Sequence, residues 1–97
     1  LEFFPPDTER FPGLELAYRA ARVGGVMPAI LNAADEVAVE SFLEGGIRFD
    51  EITDVLQEVM NGAADGAADS LAHVLTADNL ARERAREVIE ALKPVQG

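Results

Sequence analysis

Hydrophobic residues recur along this chain with the period of an α-helix. The first such segment has one apolar face made of Leu14, Ala17, Tyr18 and Ala21. Pro12 suits the first position of a helix, and Gly24-Gly25 suits a C-terminal stop. We therefore predict a helix over residues 12–23.

The second segment is the most hydrophobic. Pro28 opens it and Gly45-Gly46 closes it, which predicts a helix over 28–44. Its apolar residues cover more than one face: Ile30, Leu31, Ala34, Val37, Ala38, Phe42 and Leu43. A narrow polar stripe, called the acidic stripe below, consists of Asn32, Asp35, Glu36 and Glu40. So little polar surface predicts a central position in a bundle.

The third segment has the cleanest amphipathic pattern. Its apolar residues are Ile52, Val55, Leu56, Val59 and Met60. Asp50 is a favourable N-cap and Asn61-Gly62 a stop, so we predict a helix over 50–61.

The last segment is predicted in two pieces. Ser70 would cap a short turn over 70–75 that buries Leu71, Val74 and Leu75. Thr76 or Asp78 would then cap a helix over 77–93, stopped by Pro94. The residues expected to face inward on this helix are Leu80, Ala81, Ala85, Val88, Ile89 and Leu92.

The remaining stretches read as irregular. Residues 1–11 contain Pro5-Pro6 and three of the five phenylalanines, Phe3, Phe4 and Phe11, and predict an extended arm that packs on something apolar. Residues 62–69 repeat Gly-Ala-Ala-Asp and predict a connector. The predicted fold class is all-α: a small four-helix bundle over 12–97, preceded by an extended N-terminal arm.

The composition disfavours or excludes several classes of partner and binding site. Eighteen acidic residues against eight basic ones give a net charge of −10, which disfavours nucleic acids and anionic membranes as partners. Cysteine is absent, so neither disulfides nor thiolate metal sites are available. No apolar run approaches the roughly 20 residues of a membrane span. The chain begins with Leu1 rather than Met, so we expect it to be cut from a longer polypeptide.

Candidate chemistry is sparse. His73 is the sole histidine and is interpreted as an ordinary surface or half-buried residue. Arg82, Arg84 and Arg86 alternate with glutamates, which favours a solvated face over a phosphate clamp. The acidic stripe is interpreted as solvated or facing a partner domain. An EF-hand around Gly66 fails because Ala72 stands where its closing Glu belongs. We therefore predict no catalytic, cofactor-binding or metal-binding residue in this chain.

Several blocks resemble a known family in order and spacing. The segment Pro28 to Val39, reading PAILNAADEVAV, is similar to the Leu-Asn-Ala-Ala-Asn-Glu segment of the 1-deoxy-D-xylulose 5-phosphate reductoisomerase family. Further resemblance lies in 6–18, 42–49 and 74–83, all within that family's C-terminal helical domain. Asp35 departs from the Asn that the family has more often.

The resemblance implies a parent enzyme of three parts. One domain would hold NADPH, and a central domain would hold a divalent metal (Mg or Mn) and the sugar phosphate. The enzyme would convert 1-deoxy-D-xylulose 5-phosphate to 2-C-methyl-D-erythritol 4-phosphate in non-mevalonate isoprenoid biosynthesis, as a cytoplasmic homodimer. The chain itself would be its supporting domain, with the other domains of the same polypeptide as partners.

Two other hypotheses remain open from the residues. One is a stand-alone acidic helical module that binds other proteins. The other is a metal-dependent enzyme whose carboxylates are Asp35, Glu36 and Glu40. Tight binding of a divalent cation would distinguish the second from the first.

Overall fold

A computed structural model describes residues 12–63 and 70–93, with side chains from Gly13 onward. The helices are α1 (Pro12–Val23), α2 (Met27–Leu43), α3 (Phe49–Gly62) and α4 (Leu71–Leu92). These ranges contain no β-strand, which confirms the all-α prediction. The predicted arm over 1–11, most of the connector and the tail after 93 lie outside the described residues.

Helices α2 and α3 each pack against the other three helices, and the contacts of α2 are the more extensive. Ala33, Ala34 and Ala38 are completely buried along it, and such small side chains let neighbouring helices approach closely. Every buried side chain in the described ranges is hydrophobic. The central position predicted for α2 is thereby confirmed.

The direction of the helices follows from which residues lie opposite one another. Val26 and Ile30 share a concavity with Ala77 and Ala81. Farther along α2, its last turns share another concavity with Arg86 and the residues after it. Helix α4 therefore runs parallel to α2, whereas α3, reached through a short turn, runs antiparallel.

Glycines with left-handed backbone end both of the first two helices. Gly24 and Gly25 have φ of +69° and +58° between α1 and α2. After α2, Gly45 has φ of +82°. Its N–H donates to the Phe42 carbonyl at 3.0 Å, and the Gly46 N–H donates to the Ser41 carbonyl at 2.8 Å. These two bonds form a Schellman motif, which satisfies carbonyls that the helix leaves unpaired.

The N-cap predicted for α3 is wrong. The helix begins at Phe49, Arg48 is its N-cap, and Asp50 lies inside the first turn. The Glu51 carboxylate accepts a hydrogen bond from the Arg48 backbone N–H at 2.8 Å. Glu51 thus reaches back over the helix start in place of an Asp50 cap. The buried stripe is otherwise as predicted, with Val55, Val59 and Met60 almost inaccessible to solvent.

The break predicted within the last segment is also wrong. Helix α4 is continuous from Leu71, and Ser70 caps all of it, its Oγ accepting from the His73 backbone N–H at 3.2 Å. Thr76 and Asp78 lie inside the helix rather than at its start.

The apolar residues at the start of α4 are exposed rather than buried. Leu71 and Leu75 are 73% and 54% exposed. Val74, between them, is half-buried, so the predicted burial is met in part at that residue and not at the two leucines. Leu80 and Leu92, both predicted to face inward, are exposed as well.

Candidate functional site

The acidic stripe lies on the surface of α2, and all four of its residues are exposed. Asn32 and Asp35 line a groove between α1, α2 and α3. Asp35 also borders a second, shallower concavity with Glu36, Glu40 and Arg82 of α4. The three carboxylates therefore share one stretch of surface, and Asp35 connects it to the groove.

On the α4 side, Arg82 joins α4 to α2. Its Nε donates to Oδ2 of Asp78 at 2.8 Å, one helical turn away. Its Nη2 donates to the carboxylate of Glu36 on α2. The hydrogen bonds to Asp78 and then to Glu36 raise the pKa of Arg82 further above its usual value, so the guanidinium stays charged. Glu36 thus has a structural partner, as expected of a helix-to-helix ion pair.

The carboxylates do not converge on a metal position. Within 12–63 and 70–93, no group of three or more His, Asp or Glu side chains is placed to hold a metal ion. Divalent magnesium or calcium requires several oxygen ligands around one point. The donor set of these described residues therefore does not fit a metal ion.

The other sequence candidates lie apart from one another. His73 is exposed in the first turn of α4. Arg84 donates to Glu87 at 3.3 Å on the same helix. Arg86 borders a small concavity together with Glu40, Glu44 and other charged residues. These side chains form neither a nucleophile and base pair nor a phosphate clamp.

A groove of about 620 Å³ lies between α1, α2 and α3. Its polar lining residues are Asn32, Asp35 and Thr53. The remaining lining residues are apolar or small: Gly13, Ala17, Ala20, Ala21, Pro28, Leu31, Val39, Phe49, Ile52 and Leu56. Covering a concave apolar surface of this kind is favourable, because it removes apolar area from water.

Large exposed side chains extend this apolar surface. Leu14 and Tyr18 project from α1 at 41% and 47% exposure, and Phe49, at the start of α3, is 74% exposed. Phe49 contacts Phe42 edge to face, with ring centroids 5.6 Å apart. The sequence analysis missed this groove. The sequence nevertheless contained an indication of the groove, because α1 carries more apolar residues than one buried face requires.

Comparison with known proteins places these features in context. The family described as "DXP reductoisomerase C-terminal domain" matches residues 1–84. A 1-deoxy-D-xylulose 5-phosphate reductoisomerase of Cupriavidus pinatubonensis is 57% identical over 90 residues, which are 93% of this chain and 23% of that protein. The enzyme of the same name from Citrifermentans bemidjiense is 51% identical over 89 residues, 92% of this chain and 23% of that protein.

A solved structure is similar as well. It is the 1-deoxy-D-xylulose 5-phosphate reductoisomerase of Zymomonas mobilis in complex with NADPH. The match has a TM-score of 0.85 at 38% identity and covers 94% of this chain but 24% of that one. The chain thus spans about a quarter of the length of the relatives it matches. None of the helices in the described ranges is long and apolar enough to cross a membrane.

Proposed function

This chain belongs to the family of DXP reductoisomerase C-terminal domains, and from that premise we propose that it is the supporting helical domain of a larger 1-deoxy-D-xylulose 5-phosphate reductoisomerase. The proposal rests on the share of each chain that the match to a relative covers. The match to the relative from Cupriavidus necator takes in 95% of this chain but 23% of the relative. Such a relation is expected of one domain within a longer enzyme.

We propose that the complete polypeptide uses NADPH to rearrange and reduce 1-deoxy-D-xylulose 5-phosphate to 2-C-methyl-D-erythritol 4-phosphate. The cofactor, the divalent metal and the sugar phosphate would be held by the preceding domains. The coverage supports this division, since the chain corresponds to 23% of the relative and the rest of that enzyme lies outside it. We extend the proposal to a cytoplasmic homodimer active in isoprenoid biosynthesis.

The role of this domain would be to brace the catalytic part. Its core is built from all four helices, with Met60 and Val55 fully buried, so it provides a packed body. The apolar groove and the exposed Leu14 and Tyr18 leave surface available for packing. A domain of this size gains from such packing, because small domains bury a smaller share of their surface.

The gene provides the first test. The reading frame upstream of Leu1 should encode roughly 300 further residues, judged from the relatives' length, with a GxGxxG-type nucleotide site. Expression of the complete frame should restore growth to cells whose own reductoisomerase is inactivated, whereas the 97-residue chain should not. A start codon directly before Leu1, or rescue by the short chain, would contradict the proposal.

A stand-alone protein-binding module is the second candidate, and the exposed groove is the observation that favours it. An interaction module would use the same apolar surface for a separate partner. The upstream reading frame separates the two candidates, because a module of this kind needs no catalytic domain in the same polypeptide.

A further inference from the structure

We propose that Asn61 is a site of spontaneous deamidation, a modification that adds a negative charge at the C-terminal end of α3. Asn61 is followed directly by Gly62, and the two residues end the helix. The reactants are the side-chain amide of Asn61, the backbone nitrogen of Gly62 and water. Neither an enzyme nor a further domain takes part, so the modification does not depend on the proposed function.

The reaction begins at the backbone nitrogen of Gly62. After losing its proton to a base in solution, this nitrogen attacks the side-chain carbonyl carbon of Asn61. A carbon–nitrogen bond forms there, the bond to the amide nitrogen breaks, and ammonia leaves after taking up a proton. Water then opens the resulting succinimide ring. Breaking the new bond gives aspartate, whereas breaking the original main-chain bond gives isoaspartate, in which the chain continues through the side chain.

Gly62 leaves the attacking nitrogen accessible. Glycine has no Cβ to shield that nitrogen, and its backbone turns more freely than that of any other residue. The neighbouring helix does not crowd it either, because a Cβ added to Gly62 would lie 3.9 Å from Nε of Arg84, an ordinary contact distance. An asparagine followed by glycine therefore closes the succinimide ring with the least steric hindrance.

The end of α3 restrains Asn61 weakly. In the interior of a helix, successive backbone hydrogen bonds hold the next nitrogen away from the asparagine side chain. Here the helix ends at Gly62, and Ala63 has an extended backbone with ψ of 139°. The Ala63 N–H donates to the Met60 carbonyl at 3.3 Å, which is long for a backbone hydrogen bond. Terminal turns open at little cost in free energy, so Asn61 reaches the reactive geometry without unfolding of the bundle.

The other two asparagines of the chain provide an internal comparison. Asn32 lies in the interior of α2 and Asn79 in the interior of α4. Both are exposed, as Asn61 is. They are followed by Ala33 and Leu80 rather than by glycine. All three side chains are thus open to water, and Asn61 differs in the residue that follows it and in its place at a helix end.

Deamidation weakens the last turn of α3. The new carboxylate lies at the helix C-terminus, where the unpaired carbonyls already carry partial negative charge. Glu58, one turn earlier and exposed, has the same sign and repels it. The isoaspartate product also lengthens the main chain by one methylene before Gly62. Because Gly62 and Ala63 line the concavity shared with α2 and α4, the modification alters that surface.

The test follows each asparagine by peptide mass spectrometry while the 97-residue chain is kept in mildly alkaline buffer. A parallel sample in strong denaturant gives the rate at each site in the unfolded chain. Gly62→Ala adds a Cβ where the structure has room for it and favours the helix. Asn61→Gln keeps a side-chain amide, but its longer side chain must form a larger ring, which closes more slowly.

We expect Asn61 in the folded chain to deamidate at least about tenfold faster than Asn32 and Asn79. Its products should be aspartate and isoaspartate, which have equal mass and are separated by chromatography. Gly62→Ala should slow the reaction at Asn61 by at least about tenfold, and Asn61→Gln should remove it. Folding should slow the reaction less at Asn61 than at the other two sites.

Three results would overturn the proposal. The first is an equal rate at all three asparagines in the folded chain. The second is a rate at Asn61 that Gly62→Ala leaves unchanged. The third is protection of Asn61 by folding as strong as that of Asn32 and Asn79, because the end of α3 would then hold the backbone as firmly as a helix interior does.

Discussion

Replacing Met60 with alanine should destabilise the domain strongly. Met60 is 1% exposed on α3, beside the buried Val59. Truncating a buried methionine to alanine removes apolar contacts and leaves a cavity, at a cost of about 2–5 kcal/mol. A domain of this length has a total free energy of unfolding of about 5–15 kcal/mol. The single change should therefore remove a large part of the stability.

Urea unfolding followed by far-ultraviolet circular dichroism measures this loss. With a denaturant slope of about 1–3 kcal/mol per molar, the midpoint should fall by at least about 0.7 M, and by up to about 5 M, at unchanged slope. Met60→Leu keeps most of the volume and should cost less than about 1.5 kcal/mol. Leu43→Ala is the surface control, because Leu43 is 76% exposed, and it should stay within about 0.5 kcal/mol of the unmodified chain. A midpoint for Met60→Ala equal to that of Leu43→Ala would refute the placement of α3 in the core.

Three further predictions follow from particular residues. Ser70→Ala should lower the free energy of unfolding by about 1 kcal/mol, measured by thermal unfolding, because it removes the N-cap of α4. Thr76→Ala, inside the helix, should change that free energy by less than about 0.5 kcal/mol. Equal losses would contradict a continuous α4. Gly45→Ala should lower the free energy of unfolding by about 1 kcal/mol, because the backbone φ is +82° there. Gly13→Ala, at the start of α1, should raise it by up to about 1 kcal/mol. The reverse order would contradict these backbone assignments. Titrating the chain with millimolar Mg²⁺ in a calorimeter should give only heat of dilution, and saturable binding would revive the carboxylate-enzyme hypothesis.

The sequence pattern predicted the buried residues of α3 best, because that helix has a single apolar stripe. Val55, Val59 and Met60 are buried as their spacing indicated. Helix α1 is different, since apolar residues occupy two sides of it. Leu16 and Ala20 are buried, while Leu14 and Tyr18 of the predicted apolar face remain exposed. Periodicity identifies an apolar face but not which of two faces meets the core.

The error in α4 has a related cause. Ser70, Thr76 and Asp78 are all favourable cap residues, and local sequence does not rank them. The helix continues through Thr76 and Asp78 because no proline or glycine interrupts residues 71–92. Whether Leu71 is buried depends on where α2 begins alongside α4. That alignment of helices in space cannot be read from one segment.

The candidate site was predictable in composition but not in arrangement. The sequence placed Glu36 and Asp35 in one stripe, and both are exposed. The ion pair between Glu36 and Arg82 joins residues 46 positions apart, far beyond the three or four positions that helix rules address. The groove likewise depends on three helices meeting. Its residues become a surface only once the bundle has formed.

The most direct measurement of the central claim is the rate at which NADPH absorbance is lost in the presence of Mg²⁺ and 1-deoxy-D-xylulose 5-phosphate. The complete polypeptide and the 97-residue chain are assayed side by side at equal concentration. The account predicts steady turnover by the complete polypeptide and none by the chain alone, because the chain corresponds to 23% of the relative from Cupriavidus necator. Turnover by the 97-residue chain alone, or no turnover by the complete polypeptide, would contradict it.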